Sequence, residues 1–123
     1  VKGYIRQMVY FPTKVIQHFV FGKFLKKYIH LTRNVYTCME DFERYPLKAD
    51  IFCTGSDQVW NSGWNQGVIP AYYLSFVKDN SVKIAYAASI GKNELSEEEK
   101  VQFRGLLNSY KYITVREENA VCI

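Results

Sequence analysis

Residues 51–61 read IFCTGSDQVWN: a short apolar run stops at Gly55, and Ser56, Asp57, Gln58, Trp60 and Asn61 follow almost at once. The run from Ala49 to Thr54 has the length, composition and flanking turn residues of a buried strand. A turn after it needs a glycine and gains from an aspartate, but has no use for a tryptophan. The stretch is therefore either a tightly packed corner or the floor of a binding site.

Two further strands lie downstream. Val82–Ala88 is apolar and ends in Ser89-Ile90-Gly91, and Tyr112–Val115 ends in Arg116-Glu117, where another helix is expected to begin. Between them Ser96 and Glu99 form a capping box. The helix that follows, over Glu97–Ser109, sets Phe103, Leu106, Leu107 and Tyr110 on one face. Strand, helix, strand is the pattern of an α/β domain with a parallel sheet and flanking helices. Thr37–Tyr45 reads as a short helix closed by Pro46, and Ser62–Gly67 as a loop. Tyr72–Val77 is ambiguous between a strand and a single-turn helix.

Residues 1–46 form a basic, aromatic-rich helical lead-in to this core, which occupies 47–123. Pro12 is expected in a helix's first turn, where its missing N–H costs nothing. The helix should run to Ile29, but its apolar face moves. Val15, Ile16, Phe19 and Val20 share one side, whereas Phe21, Phe24, Leu25, Tyr28 and Ile29 share nearly the opposite one. A stripe that switches at Gly22 implies a kink there or a helix held between two surfaces. An amphipathic membrane-surface helix would keep one stripe. The expected occupant is protein, with a dimer through residues 12–30 as one form of it. His18 and His30 lie on this segment, away from the strand ends.

The chain has 123 residues, 48% apolar and 23% charged, which is an ordinary globular composition for about one domain. Residues 1–48 carry a net charge of +6 and the remainder −2. A basic front half can attract nucleic acid or an anionic membrane, but no groove-reading motif accompanies it. A solvated helix face explains it better, and no nucleic-acid partner is expected. Cys38, Cys53 and Cys122 form no metal-type or disulfide framework, and Cys53 reads as a small core residue. The reading is a cytoplasmic protein. No apolar run reaches the roughly 18 residues of a membrane span, and no secretory signal pattern opens the chain. The chain starts at Val1 and stops at Ile123 just after an Arg-Glu-Glu-Asn run, and the expectation is a core cut at both ends.

The three strands end in three polar clusters: Gly55-Ser56-Asp57-Gln58, Ser89-Ile90-Gly91 and Arg116-Glu117. In an open parallel sheet the carboxyl ends share an edge, and ligands bind in the crevice outside them. Each cluster also has a plainer explanation. Gly55 and Asp57 suit a turn, Trp60 and Trp64 suit packing, and Arg116 suits an ion pair with a neighbouring glutamate. The alternatives are a sugar ring on a bare aromatic face beside Asn61 and Asn65, and an anion in the guanidinium fork of Arg116. Phosphate-loop, dinucleotide-fingerprint, zinc-protease and nucleophile-elbow motifs are absent. The residues alone indicate an anionic or sugar-like ligand at the carboxyl edge of one α/β domain.

The segments 49–52 (ADIF), 55–61 (GSDQVWN), 72–77 (YYLSFV), 83–91 (KIAYAASIG) and 113–117 (ITVRE), in this order and spacing, resemble the polysaccharide pyruvyl transferase family. The resemblance implies a Rossmann-like sheet that is an incomplete amino-terminal half of a glycosyltransferase-B-like two-domain fold. The missing carboxy-terminal domain would complete the cleft, and the fragment alone would be inactive. It also implies transfer of a pyruvyl group from phosphoenolpyruvate to hydroxyls of a saccharide or lipid-linked saccharide. That donor is a substrate, and neither a cofactor nor a metal is expected. Such a reaction belongs to cell-surface polysaccharide synthesis, in the cytoplasm or at the inner membrane face. By motif position Asp57 is the expected acid/base or hydroxyl-orienting group, and Arg116 the anion contact. Ser56, Gln58, Trp60, Asn61 and Ser89 are the expected ligand-ordering residues. The competing reading is a non-catalytic saccharide- or partner-binding module on the same fold.

Overall fold

A computed structural model describes the backbone of residues 2–78 and 80–122, and the side chains within those spans except residues 2–10 and 122. The two chain ends, the Cys122 thiol and the Lys2 and Arg6 side chains therefore lie outside the described residues. The chain divides into two units, Val1–Val35 and Tyr36–Ile123.

The first unit is one helix, α1, spanning Lys2–Tyr28. It passes through Pro12 instead of starting there, which corrects the expected first-turn position. A proline inside a helix lacks the N–H that would bond back to the carbonyl four residues earlier. Here Pro12 stands on an exposed surface, where water can take that carbonyl. The helix also continues through Gly22, and Lys26 and Lys27 in its last turn complement the negative end of the helix dipole. Both apolar sides are bare: Phe19 on one is 64% exposed and Phe21 on the other 62%. Apolar surface of this extent calls for a covering partner. We expect concentration-dependent self-association in sedimentation velocity, shifted toward monomer by Phe19→Ser and Phe21→Ser together. Clean monomers at every concentration would remove this helix as an association surface.

The second unit is built on a sheet of three parallel strands in the order β1-β2-β3: Ile51–Gly55, Val82–Ala88 and Tyr112–Val115. The parallel arrangement is as the sequence predicts, with β1 shifted to begin at Ile51 and end at Gly55. Consecutive parallel strands laid side by side with crossovers of one hand put every connection on the same face. The helix α2 (Glu97–Leu107) and the 3-10 helix Pro70–Tyr73 supply that covering. On the opposite face Ile51, Cys53, Tyr86 and Tyr112 are exposed. Cys53 is thus not a core residue, because its side of β1 is the uncovered one.

The core sits on the covered face. Trp60, Tyr73, Ala85, Ala88, Ile90, Leu95 and Phe103 are buried together. The Trp60 ring stacks on Tyr73 at 5.5 Å and meets Tyr110 edge-on at 6.2 Å. Burial raises the pKa of the Tyr73 and Tyr110 hydroxyls well above the usual tyrosine range. The ambiguous 72–77 segment is resolved as the end of the 3-10 helix and the turn after it. The residues 116–122 form a short 3-10 turn over Glu118–Cys122 in place of the helix expected there. The early helix Met39–Arg44 lies within this second unit, where Phe42 stacks between Tyr36 and Phe76, at 4.4 and 4.0 Å. Its amino end is capped by Asp41, whose Oδ2 accepts from the Thr37 and Cys38 N–H groups and the Thr37 hydroxyl. Those bonds, led by the Thr37 N–H, hold the Asp41 pKa at about 2.

The capping box at α2 forms as predicted: Glu99 N–H donates to Ser96 Oγ and Ser96 N–H to Glu99 Oε2, at 3.2 and 3.0 Å. Glu99 does more. Its Oε1 accepts from Lys92 Nζ at 2.7 Å and from the Ser62 hydroxyl. One carboxylate thereby ties the loops after β1 and β2 to the start of α2. The Lys92 bond first, then those from Ser62 and Ser96, lower its pKa from 4.5 to about 2. A carboxylate with a depressed folded pKa adds stability above its unfolded value and loses it as pH falls toward the folded one. The melting temperature should therefore drop between about pH 4.5 and 2. Glu99→Gln should lose about 1.5–3 kcal/mol at neutral pH, as expected for hydrogen bonds to a charged group. It should also flatten that acid limb, leaving the part contributed by Asp41. An unchanged acid limb in the variant would show that Glu99 does not link stability to pH.

Candidate functional site

Because the three strands are parallel, Gly55, Ala88 and Val115 end them along one edge. The register of β2 with β3 slips between Ala85 and Ala88, and Ala87 takes a left-handed φ of 47°. Thr114 stitches this bulge, accepting from Ala87 N–H at 2.8 Å and donating to the Ala85 carbonyl at 3.2 Å. A bulge re-aims the residues after it, and here Ser89 and Ile90 turn fully inward.

The three polar clusters then interlock. Ser89 N–H donates to the Asp57 carbonyl and Trp60 N–H to the Ser89 carbonyl, both at 3.1 Å. Arg116 N–H donates to the Ala88 carbonyl at 3.0 Å. Glu117 Oε1 accepts from the Ser89 hydroxyl and from Gly91 N–H. Gly91 closes against the first cluster: a Cβ there would lie 2.4 Å from Asn61 Nδ2 and 2.8 Å from Gln58 Oε1. This close approach is the physical reason why the GSDQVWN and YAASIG blocks go together.

The sequence-named residues fall into two groups. Trp60, Asn61 and Ser89 are framework. Trp60 is 1% exposed and its indole N–H donates to the Tyr72 carbonyl at 3.2 Å, so it packs in the core. Asn61 uses both ends of its amide, donating to Gln58 Oε1 and accepting from Trp64 N–H. Ser89 is fully buried against Glu117. Ser56, Asp57, Gln58 and Arg116 are exposed. Asp57 Oδ1 is oriented by Gln58 N–H at 2.8 Å, and no protein group among the described residues bonds Oδ2. The Arg116 guanidinium likewise has no partner among them.

A cavity of about 420 Å³ opens beside β1, lined by Asp57, Gln58, Val59, Trp64, Asn65 and Tyr72. Arg116 stands at the end of β3, two strands along the same edge, and does not line this cavity. Another cavity, of about 430 Å³, lies by the helix Met39–Arg44 and is away from the strand carboxyl ends. Among the described residues no cluster of His, Cys, Asp or Glu is placed to hold a metal. No described helix is long and apolar enough to cross a membrane.

Glu117 carries a role that sequence reasoning did not assign. Its Oε2 is buried without a hydrogen-bond partner among the described residues, while Oε1 braces Ser89 and Gly91. The signal was a carboxylate two residues after β3 and a serine directly after β2, but strand pairing was needed to join them. Lys92, which bridges Glu99 and Ser62, was missed for the same reason.

The chain matches no curated protein and no solved structure to a significant degree. A family model, polysaccharide pyruvyl transferase, matches residues 7–122. That span takes in most of α1, all three strands and every polar cluster at their carboxyl edge, and the chain belongs to the polysaccharide pyruvyl transferase family.

Proposed function

We propose that this protein takes part in moving a pyruvyl group from phosphoenolpyruvate onto two hydroxyls of a saccharide or lipid-linked saccharide, in cell-surface polysaccharide synthesis. The family supports pyruvyl transfer. The observation that carries the residue-level reading is Asp57, which lines a cavity at the carboxyl edge with one oxygen anchored and the other bonded by none of the described residues. In the reaction, two acceptor oxygens bond to the donor's enol carbon, its methylene takes up a proton, and the bond to the phosphate oxygen breaks. One hydroxyl proton balances the methylene's gain and the other leaves with phosphate or base. A carboxylate at the acceptor suits the proton movements, and a guanidinium suits the donor's anionic groups.

On this reading Asp57 handles an acceptor hydroxyl and Arg116 holds the donor. Ser56 and Gln58 order the acceptor, and Glu117 positions the Ser89–Gly91 turn. The sheet is one wall of a two-domain cleft whose opposite wall supplies further donor contacts. Neither metal nor cofactor takes part, and the reaction is placed in the cytoplasm or at the inner membrane face. The test is the complete natural protein with phosphoenolpyruvate and a panel of saccharide glycosides. Phosphate release coupled to a new ketal methyl signal in proton NMR supports the proposal. Saccharide binding with no phosphate release from any acceptor would favour a non-catalytic module.

A further inference from the structure

The two tryptophans of this chain stand four residues apart in opposite environments. Trp60 is 1% exposed in the core, and Trp64 is 81% exposed. The bareness of Trp64 does not come from a loose loop. Its backbone N–H donates to Asn61 Oδ1 at 3.0 Å, Asn65 N–H to the Asn61 carbonyl at 2.9 Å, and Gly67 N–H to the Ser62 carbonyl at 2.7 Å. Asn65 Nδ2 reaches back to the Val59 carbonyl at 3.0 Å. The fold therefore holds a large aromatic ring out of its core on a well-bonded turn, forgoing the burial that makes such a ring valuable.

We infer that Trp64 is the stacking platform of a saccharide subsite in the cavity it lines with Asp57, Gln58, Asn65 and Tyr72. The inference rests on the saccharide-transferase reading and assigns this cavity to the acceptor. The lining decides between ligand classes. It contains one carboxylate, two amides and two aromatic rings and, among the described residues, no lysine or arginine. A phosphate-bearing ligand, whether donor or nucleotide, meets repulsion from Asp57 and no compensating cation. A neutral pyranose meets none. Its C–H face lies on an aromatic ring, and its hydroxyls take hydrogen bonds from amide and carboxylate groups. The cavity, at about 420 Å³, also falls in the usual size range of small-ligand sites, about 300–1,000 Å³. The donor is thereby directed along the edge, toward Arg116.

The first test is binding alone, without donor or turnover. The protein is titrated with methyl β-D-glucopyranoside, methyl β-D-galactopyranoside and methyl β-D-mannopyranoside, following tryptophan emission and saturation-transfer NMR. At least one glycoside should quench or blue-shift the red, solvent-exposed component of Trp64 in a saturable way, with the buried Trp60 component unmoved. Trp64→Ala should weaken that binding by about five- to tenfold, whereas Trp64→Phe should keep most of it. Near-ultraviolet dichroism from the Trp60–Tyr73 stack should stay intact in both variants. Added phosphoenolpyruvate should not displace the glycoside. No saturable response to any of the three glycosides overturns the subsite, as does undiminished binding by Trp64→Ala. Displacement by phosphoenolpyruvate would assign the cavity to the donor instead. Glycoside binding through Trp64 in a protein that never releases phosphate would sink the transferase reading and leave the subsite standing. Pyruvyl transfer indifferent to Trp64 would do the reverse.

Discussion

Asp57→Asn in the complete natural protein should lower turnover by at least about 100-fold, the usual contribution of a positioned acid/base, and leave the fold intact. The substitution is nearly isosteric, and the bonds that hold residue 57 survive it. An asparagine carbonyl can still accept from Gln58 N–H, and the main-chain carbonyl still receives Val59 and Ser89 N–H. What disappears is the ability to take a proton at the oxygen that none of the described residues bonds. Arg116→Ala provides the contrast. It should chiefly weaken donor binding, by the roughly 1.5–3 kcal/mol of a hydrogen bond to a charged group. Steady-state phosphate release with a melting curve for each variant separates the two roles. Intact turnover with a lowered melting temperature in Asp57→Asn would make Asp57 a turn residue.

The strands were legible because each is a short apolar run with turn residues at both ends, and the cap at Ser96 because its chemistry is local. Their parallel pairing followed from the helix between β2 and β3. Cys53 was misread because composition says that a strand is buried but not on which faces. The bare side follows from strand order, which a sequence does not print. Pro12 was misplaced because local preference puts proline at a helix start, whereas an exposed helix tolerates it inside. The site was legible as an edge and not as a set of contacts. Asp57 and Arg116 were named by their position after strands, and both stand exposed there. The split between Trp60 as framework and Trp64 as surface required the fold, since the two residues look alike in sequence. Glu117 was likewise indistinguishable from Glu118 until Ser89 stood beside it.

The largest effect on stability is expected at Gly55. Its φ of 119° lies where side chains are rarely accommodated, and a Cβ built there falls 2.0 Å from the Tyr86 carbonyl oxygen. That oxygen belongs to the neighbouring strand, since Gly55 pairs with Tyr86 at the end of β1. No rotamer change relieves the clash, so an alanine must push the two strands apart or change the backbone angle. Either movement disturbs the turn at Asp57, whose carbonyl receives Ser89 N–H. Gly55→Ala should thus cost about 4 kcal/mol or more, which places it in the exceptional tail of single substitutions. Two other glycines calibrate this figure in the same urea-unfolding experiment. At Gly91 the groups in the way are side-chain atoms of Asn61 and Gln58, which can partly yield, so the loss should be smaller. At Gly105, inside α2, an added Cβ meets nothing within 4 Å. Gly105→Ala should stabilise by about 0.5–1 kcal/mol, through lower unfolded-state entropy and better helix propensity. Set against a typical domain stability of about 5–15 kcal/mol, only the first change threatens folding outright. If Gly55→Ala unfolds at the same urea concentration as the parent chain, the close β1–β2 approach is not what sets this corner, and the packing of Trp60 beneath it must be.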